Sequence, residues 1–316
     1  MLPALRIPPA AARFAVRDLQ TTIDLPGQAA TTIVHGRLAG NPDAAPVIVL
    51  GGVSADRRVL SDEHGPGWWP GVAARGGALD PDHVQILSMD FLGSASGEPA
   101  RLQDQASAAL ALADAAGIEQ FSIIGASFGG TVALEIAARA PQRVTGLDLL
   151  CAAAGIHPMA QAWRSIQREI LELALDAGLG ARGVDIARRL AMTTYRTPEE
   201  FAQRFGPAGP DDRCDRGVEG YLQARGSDYA RTVSPERYLS RLDAMQAPAG
   251  GLERICAPTR LLAIRSDRLV PPAEIHATAQ ALTAVRAEVI EIDSLYGHDG
   301  FLKDAGPVNE FLKDRS

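Results

Sequence analysis

The stretch "FSIIGASFGGTVALEIA", residues 121–137, decides the fold. Phe121 to Ile124 are mostly apolar, as a buried strand would be; glycines then cluster around one serine, and beyond them apolar residues recur along one face of a helix that ends before Pro141. A strand turning sharply into a helix through Gly-x-Ser-x-Gly is a nucleophile elbow, a turn that holds its serine in a strained conformation. Gly125 and Gly129 lack the Cβ atoms that would collide across such a turn. Ser127 is therefore the candidate nucleophile, and the backbone N–H of Phe128, at the helix start, a candidate donor to an oxyanion. A five-residue match alone is weak, because glycine and serine are common; the strand before it and the helix after it are the context the motif requires.

Outward from the elbow, short Val- and Ile-rich runs alternate with turn residues and helix-like stretches. "VIVL" (47–50), "VQILSMD" (84–90), "GLDLLC" (146–151), "TRLLAI" (259–264) and "AEVIEID" (287–293) join "FSIIG" (121–125) as six predicted strands. The alternation implies an α/β fold with a mainly parallel central sheet. It stops after Cys151 and resumes near Pro258. Between them lie helix-like segments such as "AQAWRSIQREILELALDAG" and "GVDIARRLAMTTY", with no convincing strand, and turns at "GPAGPDD" (206–212) and "APAGG" (247–251). So long a loop would be unusual in a compact domain, so an inserted helical cap is the more economical reading. The expected division is a core of residues 1–151 and 252–316 with a cap at 152–251.

Composition bounds the chemistry. The chain has 316 residues, 46 % of them hydrophobic and 22 % charged, with a net charge of −7. That is an ordinary globular composition, and its negative sign argues against broad nucleic-acid or anionic-membrane binding. The amino-terminal "MLPALRIPPAAARFAV" has no apolar core followed by a cleavage site, and no apolar run approaches a bilayer's width. A cytoplasmic protein acting on small molecules is the expectation. Cys151, Cys214 and Cys256 are odd in number and widely spaced, as expected of reduced, ordinary thiols rather than a metal site.

A serine hydroxyl is a poor nucleophile until a histidine takes its proton and a carboxylate orients that histidine. Behind an elbow of this kind the partners follow in the order acid, then histidine. "LLAIRSDRLVPP" places Asp267 just past a strand end, and "IEIDSLYGHDGF" places His298 in the loop after the last strand. His35, His64, His83 and His157 come too early in the chain, and His276 falls in a predicted helix. Asp293 also precedes His298, but lies in the terminal strand segment, so Asp267 is the better placed acid. The second oxyanion donor should come from "GGVSADRRV" after the "VIVL" strand: the N–H of Val53, with Gly52 as the alternative.

At this point the sequence resembles a family, the homoserine O-acyltransferases of the α/β-hydrolase superfamily, which make O-acetyl- or O-succinyl-homoserine for methionine synthesis. The stretch "GPGWWPGVAARGGALDPDHVQILSMDFLG" resembles a family segment that opens on Gly-Trp-Trp. "AWRSIQREI", "DIARRLAMTTYRTPEEFAQRF", "VEGYLQARGSDYARTVSPERYLSRLDAM" and "IDSLYGHDGFL" resemble others, in the family's order, covering most of the chain from about residue 45 onward. The resemblance implies an α/β-hydrolase fold and a ping-pong transfer from acyl-CoA, as co-substrate with no bound cofactor or metal, through acyl-Ser127 to homoserine. It implies Asp299 for the substrate ammonium, and Arg188 for the carboxylate, chosen over Arg189 by counting back from Tyr195. It also implies a homodimer through the cap helices. There are departures: Thr131 and Val132 stand where the family usually has Met-Gln, "GSASGEP" (93–99) replaces a Gly-Gly-Cys-Tyr segment, and "ARTVSP" replaces an Arg-Phe-Asp in the cap. These bear on acyl choice and pocket shape, not on the triad. The wording of "AWRSIQR" and "MTTYRTPEEF" is most similar to a compact branch associated with succinyl transfer. Serine as acceptor, or a plain esterase or thioesterase with the same triad, remain open alternatives.

Overall fold

A computed structural model describes residues 14–26, 31–93, 100–206 and 217–313. The amino-terminal segment, Cys214, nearly all of the 93–99 departure and most of the 206–212 turn lie outside the described residues.

The six predicted strands form the parallel part of one sheet. They are β3 (Pro46–Leu50), β4 (Gln85–Met89), β5 (Phe121–Ala126), β6 (Val144–Leu150), β7 (Thr259–Ile264) and β8 (Ala287–Ile292). The sheet has eight strands, in the order β1-β2-β4-β3-β5-β6-β7-β8. The two extra ones, β1 (Ala15–Ile23) and β2 (Thr32–Gly40), form an antiparallel ribbon on the β4 edge. Nothing in the sequence reading anticipated them. β1 is solvated on both faces and reads "AVRDLQTTI", a run without the continuous apolar character that marks a buried parallel strand.

Helices cover both faces of the sheet, giving two apolar cores. One lies under α1 (Leu102–Ala116) and α2 (Phe128–Arg139); the other, centred on Val49, Ile124, Leu150 and Ile264, lies under the buried Trp69 and the carboxyl-terminal α10 (Ala305–Lys313). Among the described residues, five α-helices run between β6 and β7: α3 (Pro158–Asp176), α4 (Gly180–Thr194), α5 (Pro198–Phe205), α6 (Val218–Ala230) and α7 (Pro235–Ala244). Their starts are written locally. Pro158, Pro198 and Pro235 open α3, α5 and α7, where a missing N–H costs nothing. Thr197 and Ser234 cap α5 and α7 by accepting from Glu200 N at 3.0 Å and Arg237 N at 3.2 Å. The five helices enclose a small core of their own, including Leu171, Val184, Ala187, Tyr238 and Leu242. No helix among the described residues is long and apolar enough to cross a membrane.

Candidate active site

Every loop that carries a candidate catalytic residue leaves the carboxyl end of a parallel strand: 51–53 after β3, Ser127 after β5, Asp267 after β7 and His298 after β8. That edge is where open parallel sheets bind ligands.

Ser127 has φ 53° and ψ −123°, a backbone state that a non-glycine residue keeps only when its surroundings impose it. Ser127 N donates to Leu150 O at 2.9 Å, and Gly129 N donates to Gly51 O at 3.0 Å, pinning the turn against β6 and the loop after β3. A Cβ at residue 129 would lie 2.3 Å from Leu50 O, and one at 125 would lie 2.6 Å from Gly130 Cα, so both glycines are sterically required. The Ser127 side chain makes no capping hydrogen bond to α2. Instead its Oγ lies 2.8 Å from His298 Nε2.

The relay continues behind the histidine. His298 Nδ1 is 2.7 Å from Asp267 Oδ2, and Asp267 Oδ1 accepts from Leu269 N at 2.8 Å and Val270 N at 2.9 Å. An acceptor-only carboxylate fixes the imidazole proton on Nδ1, which leaves Nε2 free to accept from the serine hydroxyl. Asp267 and His298 are both buried. The alternative acid, Asp293, is 82 % exposed and pairs with Arg265 at 2.7 Å. His276 lies in α8 (Pro272–Ala281) and contacts Glu291, not the serine. One tryptophan of "GPGWWPG" also serves this loop. Trp69 Nε1 donates to Phe301 O at 2.9 Å, and the Phe301 ring stands edge-on to His298 at 5.7 Å.

Both predicted oxyanion donors border the cavity that contains Ser127. Phe128 is the first residue of α2, so its N–H has no partner four residues back within the helix. The loop carrying Val53 passes close by: a Cβ on Gly52 would sit 3.9 Å from Ser127 Cβ.

The cavity holds about 570 Å³, within the range of small-molecule sites, and also takes in Arg188 and Asp299. Adjacent arginines on α4 have different fates. Arg189 is committed to Asp185, Nε to Oδ1 at 2.7 Å and Nη2 to Oδ2 at 2.6 Å. Arg188 lies over the rings of Tyr229 at 4.5 Å and Tyr195 at 5.5 Å, and has no carboxylate partner among the described residues. Burial pushes the Tyr195 phenol up, with Arg188 pulling it back the other way, so Tyr195 is a neutral group on the cavity wall. Asp299 borders the same space, but its Oδ2 already accepts from Arg196 Nε at 3.0 Å, with Lys303 Nζ 3.8 Å away. Its Oδ1 has no hydrogen-bond partner among the described residues.

Sequence reasoning gave no site role to Arg164, Arg196, Tyr195 or Tyr229, all of which border the cavity. Arg164 Nη1 donates to Met245 O at 2.6 Å and meets no carboxylate among the described residues; burial pushes its guanidinium below its ordinary value. Each lies in a segment quoted above, yet arginines and tyrosines on helices are ordinary surface residues until the packing of α3, α4 and α6 turns them inward. Of the two elbow departures, Thr131 borders the cavity and Val132 is buried. Cys151, buried at the end of β6, and the exposed Cys256 are free thiols; burial pushes the Cys151 thiol well up.

Comparisons with known proteins agree with this fold. A model of the alpha/beta hydrolase fold matches residues 46–305. The chain is 34 % identical to a homoserine O-succinyltransferase of Xanthomonas campestris pv. campestris, over 87 % of this chain and 76 % of that one. It is 33 % identical to an L-serine/homoserine O-acetyltransferase of Streptomyces lavendulae, covering 84 % and 87 %. The crystal structure of an esterase superposes with a TM-score of 0.84 at 18 % identity, covering 95 % and 99 %, a likeness of fold alone. With an elbow, a buried Ser-His-Asp relay and relatives at this identity across most of its length, the chain belongs to the homoserine O-acyltransferase family of the alpha/beta hydrolase fold.

Proposed function

We propose that the protein transfers an acyl group from an acyl-CoA to the side-chain hydroxyl of L-homoserine, by a ping-pong mechanism through acyl-Ser127. The observation that carries this reading is one cavity containing both a complete Ser-His-Asp relay and a guanidinium, Arg188, without a carboxylate partner among the described residues. A simple esterase has no need of the second.

In the first half, His298 Nε2 takes the proton from Ser127 Oγ as the oxygen attacks the thioester carbonyl, and the N–H groups of Val53 and Phe128 hold the oxyanion. Collapse of the tetrahedral adduct breaks the C–S bond, and His298 returns its proton to the departing thiolate. In the second half, homoserine binds with its carboxylate on Arg188 and its ammonium on Asp299 Oδ1. A guanidinium fork suits a carboxylate. His298 removes the proton of the acceptor hydroxyl, which attacks the acyl-enzyme, and then gives that proton to Ser127. Each step moves a proton or an acyl group, so the reading calls for acyl-CoA as co-substrate and for no bound cofactor.

Arg164 favours succinyl over acetyl. A desolvated guanidinium whose acceptor is a neutral carbonyl gains from an anion, and a succinyl group ends in one where an acetyl group does not. We place the reaction in cytoplasmic methionine biosynthesis. The assembly is a homodimer through the cap, where Met159, Ile166 and Leu173 recur every seventh residue along α3 and stand exposed.

The test is CoA release from succinyl-CoA and from acetyl-CoA, each with homoserine, serine or no acceptor. Fast steady-state release without acceptor identifies a hydrolase and overturns the proposal; release with serine alone moves the acceptor one methylene shorter.

A further inference from the structure

We infer that Arg196 is a positioning residue for the acceptor. It ties up one oxygen of Asp299 so that the other is presented to the substrate ammonium, and in doing so bolts the cap to the histidine loop.

Arg196 lies between α4 and α5, and Asp299 directly follows the base, so the bond from Arg196 Nε to Asp299 Oδ2 at 3.0 Å joins the two parts of the molecule. Around it the same two segments are joined three more times. Asp299 N donates to Tyr195 O at 3.1 Å, Thr197 Oγ1 to Leu295 O at 2.5 Å, and Lys303 Nζ to Glu200 Oε1 at 2.5 Å. Arg196 is itself held, with Glu200 Oε1 3.8 Å from its Nη1 and the Tyr221 ring 5.1 Å from its Cζ, and its side chain is 9 % exposed. The cluster of Arg196, Lys303, Asp299 and Glu200 is charge-balanced, two cations against two anions.

Charge balance has a consequence for recognition. A buried, unpaired Asp299 would pay a large desolvation cost in the empty enzyme and would be free to rotate. Paired through Oδ2, it holds a fixed direction, and Oδ1 stays open for an ammonium. The Nε–Oδ2 bond also restrains the loop that carries His298, but the relay has its own supports in Asp267 and Phe301. Loss of Arg196 should therefore weaken the acceptor step selectively.

The inference rests on the acyltransferase reading, and the experiment separates the two. Arg196→Met and Arg196→Lys are compared with the wild-type enzyme by the pre-steady-state burst of CoA release without acceptor, and by kcat and KM for homoserine. The expected result for Arg196→Met is a burst rate within about twofold of wild type and a homoserine KM raised up to about a hundredfold, the scale of a misplaced binding group. Arg196→Lys should recover part of that KM. An unchanged KM in Arg196→Met overturns the inference while leaving the functional reading in place. So does an equal loss of burst rate and acceptor step in both variants, which marks a merely structural role. If the wild-type enzyme transfers to no hydroxy amino acid, the functional reading falls, and the Arg196 role with it.

Discussion

Ser127 and Arg188 test the proposal at the scale of single residues. Ser127→Ala removes the only oxygen within reach of His298 Nε2 among the described residues and should lower acyl transfer by several powers of ten, read as CoA release, since triad members act as a unit. Arg188→Lys keeps the charge but loses the planar fork, so the KM for homoserine should rise at least about tenfold while the CoA burst survives. The serine, histidine and aspartate that the structure brings within hydrogen-bond distance were legible in the sequence because chain order and strand ends single them out. Arg188 was preferred to Arg189 only through resemblance. The physical reason for that choice, the capture of Arg189 by Asp185 one helical turn earlier, cannot be read from two adjacent arginines. The resemblance assigned Asp299 to the substrate ammonium and said nothing of the arginine neighbour the structure gives it, more than a hundred residues distant in the chain.

Among elements, the contact of α4 with α6 sets the shape of the cavity around Arg188 and Tyr229. The helices meet at Gly226, where a Cβ would lie 2.0 Å from Asp185 Oδ1 and 2.6 Å from Asp185 O. Gly226→Ala should push α6 away, moving Tyr229, three residues on, from beneath Arg188. The cost should be about 1–3 kcal/mol in stability, seen in urea unfolding, together with a higher KM for homoserine. The parallel strands and most of the helices between β6 and β7 were legible because buried strands are continuously apolar and three of those helices open on proline. The β1–β2 ribbon was not: β1 is solvated and carries a mixed pattern that resembles loop, and β2, though largely buried, has His35, Gly36 and Arg37 at its centre in place of a continuous apolar run. Beside its backbone ladder the ribbon carries an ion pair: Arg37 Nε donates to Asp18 Oδ1 at 2.8 Å, and this bond holds the Asp18 carboxyl below its ordinary value of 3.8. Stability gained that way is present above that value and lost as pH falls through the lower, folded one. Asp18→Asn should therefore weaken the fold slightly at pH 7, by less than about 1 kcal/mol because Asp18 is 56 % exposed, and the difference should vanish in denaturation curves taken at strongly acid pH.

For the whole molecule, the exposed stripe of Met159, Ile166 and Leu173 is the surface on which the dimer proposal stands. Leu173, 70 % exposed, is its most solvent-accessible member. Leu173→Glu should convert a dimer to a monomer in sedimentation equilibrium while leaving the CoA burst intact, since Leu173 does not border the cavity. That cavity has a further implication. Ser127, Arg188 and Asp299 border one continuous space, so in the proposed reaction the departing thiol carrier and the incoming amino acid would occupy overlapping volume. Their mutual exclusion would appear as an inhibition pattern: free CoA competing directly with the acceptor, and parallel rather than converging double-reciprocal lines.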